Sequence, residues 1–163
     1  MSIVEFSEKL ELPKSTVYRF LMYLKKRGYI EKTANNKYEL GIKCLYLGLN
    51  VMQGMEITLK AKDVMNELTQ STGFTAHLAI QDGNYALYIE KVESSKTSIV
   101  HSRIGKRTPM HCTAVGLVLL SAFSEEEFYD YCRQTTFTPL TIHTITEPQK
   151  LSDYLEISPR ICH

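Results

Sequence analysis

At 163 residues, 44% apolar and 23% charged, the chain has the balance of a soluble globular protein and is long enough for one larger domain or two small ones. Its net charge of +1 is unevenly divided: residues 1–50 hold nine Lys/Arg against five Glu, an excess of +4, and the remainder carries −3. With no apolar run long enough to span a bilayer and no leader pattern at its start, a cytoplasmic protein is expected, its basic head suited to nucleic acid.

Ser2 and Glu5 have the spacing of a capping box, which predicts a short helix with Ile3, Phe6 and Leu10 inward, ending near Glu11-Leu12. Pro13 fixes φ for the start of a second helix, Gly28 is its natural stop, and Lys25, Lys26 and Arg27 fall where the helix dipole favours cations. Val17, Phe20, Leu21 and Leu24 form its apolar stripe. On its other side Ser15, Thr16, Tyr18 and Arg19, with Lys14 just ahead, are groups that reach base edges and phosphates from a major groove. An ordinary solvated helix has the same composition, so the neighbouring elements decide. Residues 29–33 and 37–40 are strand-like around Ala34-Asn35-Asn36, a hairpin turn in which Asn tolerates positive φ. Two helices, a tight turn and a two-stranded wing make a winged helix-turn-helix, with Asn36 and Lys37 at the wing.

Residues 41–52 are apolar on more than one face, as in a buried helix or one that joins domains and protomers, and Gly54 is a plausible break. Residues 56–72 read as an amphipathic helix with Ile57, Ala61, Val64, Met65 and Leu68 inward, closed by Gly73. Phe74, Ala76, Leu78 and Ile80 then alternate, Asp82-Gly83 marks a hairpin, and Tyr85, Leu87 and Ile89 continue the two-residue period. A third strand is expected near 98–101, followed by a basic loop at 102–109 and a helix from about Thr113. Small residues in the first turn of that helix leave backbone N–H groups open to a carboxylate, and equally let the helix pack closely on a sheet. Ser124 and Glu127 form a second capping box, with Phe128, Tyr131 and Cys132 inward, and a Thr-rich loop leads to a last helix from Glu147-Pro148. Helix, antiparallel strands and helices argue for an α+β domain.

The scattered Cys44, Cys112, Cys132 and Cys162 show no metal spacing, so free thiols are expected, with no metal and no cofactor. His111-Cys112 is the one pair suggestive of a thiol nucleophile beside a base, but neighbours in an extended segment point to opposite sides. No hydrolase elbow, phosphate-cradling loop or His-Glu-x-x-His stands in the chain, and no enzyme is expected.

Pro-Lys-Ser-Thr-Val-Tyr-Arg-Phe-Leu at 13–21, Arg27-Gly28-Tyr29 and Tyr38-Glu39-Leu40-Gly41 resemble the winged helix-turn-helix of IclR-type bacterial transcriptional regulators. Within that family, 14–21 and 102–120 are most similar to the 2-keto-3-deoxygluconate repressor branch, and the likeness covers residues 2 to 155. The resemblance implies an α+β protein: a winged helix-turn-helix at 1–40, a linker helix at 41–55, and a GAF/PAS-like effector-binding domain at 56–163. It further implies a repressor that binds a double-stranded DNA operator as a homodimer or homotetramer and responds to a small keto or sugar acid. Lys14, Ser15, Thr16, Tyr18, Arg19, Asn36 and Lys37 would touch DNA; Ala114 and Val115 would face the effector carboxylate, with Val100 on the adjoining strand wall. Leu117 departs from the Lys that many relatives carry after the glycine of that helix. Relatives also have a helix before residue 2 and further strands after 157, so a chain shortened at both ends is expected, with DNA binding and effector response both impaired. The alternative is an oligomerisation module that pairs through 41–55 and reads neither.

Overall fold

The computed structural model describes residues 1–94 and 103–157, and the chain divides into two compact units, Met1–Glu56 and Ile57–His163. In the first unit, α1 (Ile3–Leu10) opens on the expected capping box: Ser2 Oγ accepts from the Glu5 N–H at 3.3 Å, and the Ser2 N–H donates to Glu5 Oε2 at 2.6 Å. Glu11, at φ 53°, ends α1 in the left-handed region. After a tight turn, α2 (Lys14–Lys26) begins behind Pro13, and Gly28 follows it at φ 77°. A hairpin of β1 (Ile30–Lys32) and β2 (Tyr38–Leu40) pairs Ile30 with Leu40 and Lys32 with Tyr38. Its exit meets its entrance closely: a Cβ on Gly41 would lie 2.4 Å from the Gly28 carbonyl oxygen, so only glycine permits this approach.

Val17, Leu21 and Tyr38 are the buried centre of the unit, with Ile3, Phe6 and Ile30 packed around them. Burying Val17 and Leu21 contributes about 1.5–3 kcal/mol each. The inward stripe of α2 is narrower than expected, since Phe20 is 60% exposed and Leu24 37%, and Leu10 of α1 also faces water. Among the described residues α1 and β1 make the main contacts to α2, and only the i, i+4 pair Val17 and Leu21 of that helix is fully buried. The third helix, α3 (Ile42–Gln53), has no buried residue, and Ile42, Leu45, Tyr46 and Leu49 are all exposed.

The second unit contains α4 (Glu56–Thr72, which begins one residue ahead of it) and a sheet of β3 (Ala76–Asp82), β4 (Tyr85–Val92) and β5 (Arg107–Pro109) in antiparallel order β3-β4-β5. A short 3-10 turn at Met110–Cys112 leads into α5 (Ala114–Leu120), followed by α6 (Glu125–Gln134) and α7 (Pro148–Ile157). Ala86, Met110, Leu120, Tyr131, Leu151 and Leu155 form the core.

Three sequence expectations are corrected in this unit. First, of the stripe expected inward on α4 only Met65 is fully buried; Thr69 joins it four residues on, and Ile57, Val64 and Leu68 are left exposed. Second, β4 does not keep one two-residue phase. Leu78 pairs with Glu90 but Ala79 pairs with Tyr88, so Ile89 is the extra residue of a bulge, and Ala86, Tyr88 and Ile89 are buried while Tyr85 is exposed. Third, Arg107–Pro109, read as loop, forms the edge strand β5 on β4. The strand expected at 98–101 lies outside the described residues. Among the described residues, no helix is long and apolar enough to cross a membrane.

Candidate functional site

The burial of Val17 and Leu21 fixes the rotation of α2, and so decides what its other sides present. Ser15, Arg19, Met22 and Lys26 recur at helical spacing on the side turned away from the core, and all four are exposed. Lys14 and Tyr18 flank them, Tyr18 being 50% exposed, while Thr16 is half-buried. The result is a ridge with a guanidinium, an ammonium, a hydroxyl and a phenol reaching outward from the first turns of one helix. At the hairpin tip Asn36 takes φ 58°, and it and Lys37 are exposed. Thr33 braces that tip: its Oγ1 donates to the Lys37 carbonyl at 3.1 Å and accepts from the Lys37 N–H at 3.2 Å.

Sequence reasoning missed part of this surface. Phe20 and Tyr23, placed inward or ignored, are exposed beside Thr16 and Arg19, and the Arg27 guanidinium lies over the Tyr23 ring at 5.0 Å. The i, i+3 spacing of Phe20 and Tyr23 was visible, but which apolar stripe a helix buries depends on what faces it.

In the second unit, Thr113 caps α5, its Oγ1 accepting from the Gly116 N–H at 3.1 Å. Ala114 is exposed and Val115 half-buried; Val100 lies outside the described residues. Gly116 serves close packing, because a Cβ there would fall 2.1 Å from the Met110 carbonyl oxygen. A cleft of about 320 Å³, lined by residues including Leu120, Phe123, Phe128 and Leu155, lies at the other end of α5 from Ala114.

His111 and Cys112 have structural partners. His111 is 2% exposed; its Nδ1 lies 3.0 Å from the Tyr131 hydroxyl, which also accepts from the His111 N–H at 3.1 Å, and its Nε2 lies 3.4 Å from the Thr138 carbonyl. Cys112 Sγ donates to the same Thr138 carbonyl at 3.6 Å. Burial pushes the His111 imidazole down and the Cys112 thiol up, the opposite of what a thiolate nucleophile requires. The pair fastens the 135–146 loop. Among the described residues, no group of His, Cys, Asp and Glu could hold a metal ion.

Residues 49–160 match the family model of the bacterial transcriptional regulator IclR C-terminal domain. The chain belongs to the IclR family. It is 41% identical over 149 residues to the HTH-type transcriptional regulator XynR of Escherichia coli, covering 87% of this chain and 58% of that protein. It is 36% identical to the HTH-type regulator KdgR of Dickeya chrysanthemi, covering 96% and 52%. Its fold is similar to that of the Thermotoga maritima IclR crystal structure, with a TM-score of 0.69 and 29% identity over 98% of this chain and 65% of that one. The chain thus spans a little over half the length of these two curated relatives. The IclR family model falls mainly on the second unit, while the likeness to KdgR extends across α1, α2 and the hairpin.

Proposed function

We propose that the chain is an effector-responsive, DNA-binding transcriptional repressor. Residues 1–40 form its winged helix-turn-helix, 41–55 its linker helix and 56–163 its effector-binding domain. Lys14, Ser15, Thr16, Tyr18 and Arg19 enter the major groove, and Asn36 and Lys37 of the wing meet the backbone. The observation that carries this reading is the outward ridge of α2: the helix spends only Val17 and Leu21 on the core and leaves Arg19 and its neighbours in solvent. The names of its relatives support it. The effector is a small organic acid whose carboxylate lies by Ala114 and Val115, and the working form is a homodimer or homotetramer.

Fluorescence anisotropy on a labelled duplex tests the reading. Binding that weakens on Arg19→Ala and changes on adding a keto or sugar acid supports it; binding indifferent to both rejects it. A single unit contacting only phosphates binds at about 10⁻⁴–10⁻⁶ M, so the assay must reach high protein concentration.

A second reading, a pairing module without DNA or effector binding, is favoured by α3. Ile42, Leu45, Tyr46 and Leu49 stand at i, i+3, i+4 and i+7 and are uncovered in a single chain. Sedimentation of a Leu45→Glu variant separates the two: pairing lost with Arg19-dependent DNA binding never detected in either protein favours the second.

A further inference from the structure

The helix α2 spends Val17 and Leu21 on the core and turns the ridge of Ser15, Arg19, Met22 and Lys26 to solvent. Between that ridge and the core, Thr16, Phe20, Tyr23 and Arg27 follow at i, i+4, i+7 and i+11, one stripe at helical spacing. Phe20 is 60% and Tyr23 56% exposed. With Thr16 and Arg19 the two rings line a groove of about 470 Å³, and Tyr23 borders a second groove with Met22, Lys25 and Lys26. The Arg27 guanidinium lies over the Tyr23 ring, 5.0 Å from its centroid.

The helix and its cap carry Lys14, Arg19, Lys25, Lys26 and Arg27 and no carboxylate, so their field selects a partner that is negative along its length. Duplex phosphates would satisfy those cations, but a duplex keeps its base faces stacked on one another and offers none to an aromatic ring. A single strand offers both, a phosphate at each step for the cations and unpaired base faces for Phe20 and Tyr23. Two neighbouring rings left in water are apolar surface that such stacking would cover. Arg27, held over Tyr23, keeps a cation at the end of the stripe.

We propose that the stripe of Thr16, Phe20, Tyr23 and Arg27 is a binding site for single-stranded nucleic acid, beside the ridge that meets the duplex. Unpaired bases stack on Phe20 and Tyr23, and Arg19, Lys26 and Arg27 hold the phosphates to either side. The site does not depend on the duplex reading, although Arg19 stands at the border of both.

Fluorescence anisotropy of the full chain with a labelled oligothymidylate of ~15 nucleotides, an abasic strand of the same length and a duplex tests the proposal. The oligothymidylate should bind about fivefold or more tightly than the abasic strand, whose phosphates are the same. Phe20→Leu and Tyr23→Leu keep apolar bulk and remove the rings. Each should weaken oligothymidylate binding about fivefold or more and duplex binding by less. Both side chains lie on the surface, so the variants are expected to fold, and the abasic comparison needs no variant. Equal binding of the two strands, or strand affinity unmoved by both substitutions, overturns the stacking site and leaves the duplex reading intact. A substitution that changes the sedimentation coefficient but not the strand affinity gives the stripe to a second copy of the chain, and also overturns it. No oligothymidylate binding overturns the site alone if the duplex binds, and both readings if it does not.

Discussion

The Tyr131 hydroxyl meets His111 twice, accepting from its backbone N–H at 3.1 Å and lying 3.0 Å from its ring Nδ1. With Nε2 directed at the Thr138 carbonyl, the neutral ring donates from Nε2 and accepts from the phenol, an assignment that satisfies every polar atom of a buried imidazole. Removing the phenol oxygen strands two of those groups. Tyr131→Phe is therefore expected to cost about 1–3 kcal/mol in urea unfolding, more than the shape change alone would. An unchanged midpoint would remove the structural role given to this contact.

The same imidazole predicts a pH dependence. His111 and His77 are both held below the usual histidine range by burial, so above about pH 6.5 they are neutral in the folded and unfolded chain alike. As pH falls through that value the unfolded chain takes up protons that the folded chain refuses, and stability is lost. Glu5, Glu93 and Glu127, whose carboxyls are lowered by their partners, lose stability only at more acid pH, below the ordinary carboxylate value. Melting temperature should therefore fall between about pH 7 and pH 5.5, and His111→Gln should flatten that fall whatever its effect at pH 7.

Two glycines are expected to behave in opposite ways. Gly116→Ala places a methyl group 2.1 Å from a backbone oxygen, with nothing flexible to yield, and should cost about 3 kcal/mol or more. Gly48 of α3 has nothing within 4 Å of the same added atom, so Gly48→Ala should be neutral or stabilise by up to about 1 kcal/mol. Denaturant midpoints of the two variants measure the contrast.

What could be read from the residues was what is decided locally. Both capping boxes, Ser2 with Glu5 and Ser124 with Glu127, stand as expected, because two residues three positions apart specify each. Asn36 and Gly73 take the positive φ that their turns require. What escaped depends on neighbours far along the chain. The burial of Thr69 in place of Val64 and Leu68, the bulge at Ile89 and the exposure of Phe20 are set by the surface each element meets. Tyr131 and His111, twenty residues apart, leave no local trace of their contact. The chemistry of the α2 ridge was legible because Val17 and Leu21 lie within the expected apolar stripe, and helical spacing then turns Ser15 and Arg19 outward even though Phe20 and Leu24 of that stripe are exposed.

If the α2 ridge lies against duplex DNA, its cations displace counterions from the phosphates, and the salt dependence of binding reads that displacement. For a duplex titrated with the chain over a range of salt concentrations, log K should fall linearly with log salt. The slope should become shallower by about one on Arg19→Ala or Lys14→Ala and stay unchanged on Lys150→Ala, a surface lysine of α7. Equal slopes for all four proteins, or no binding at any salt, would mean that the ridge does not lie on DNA.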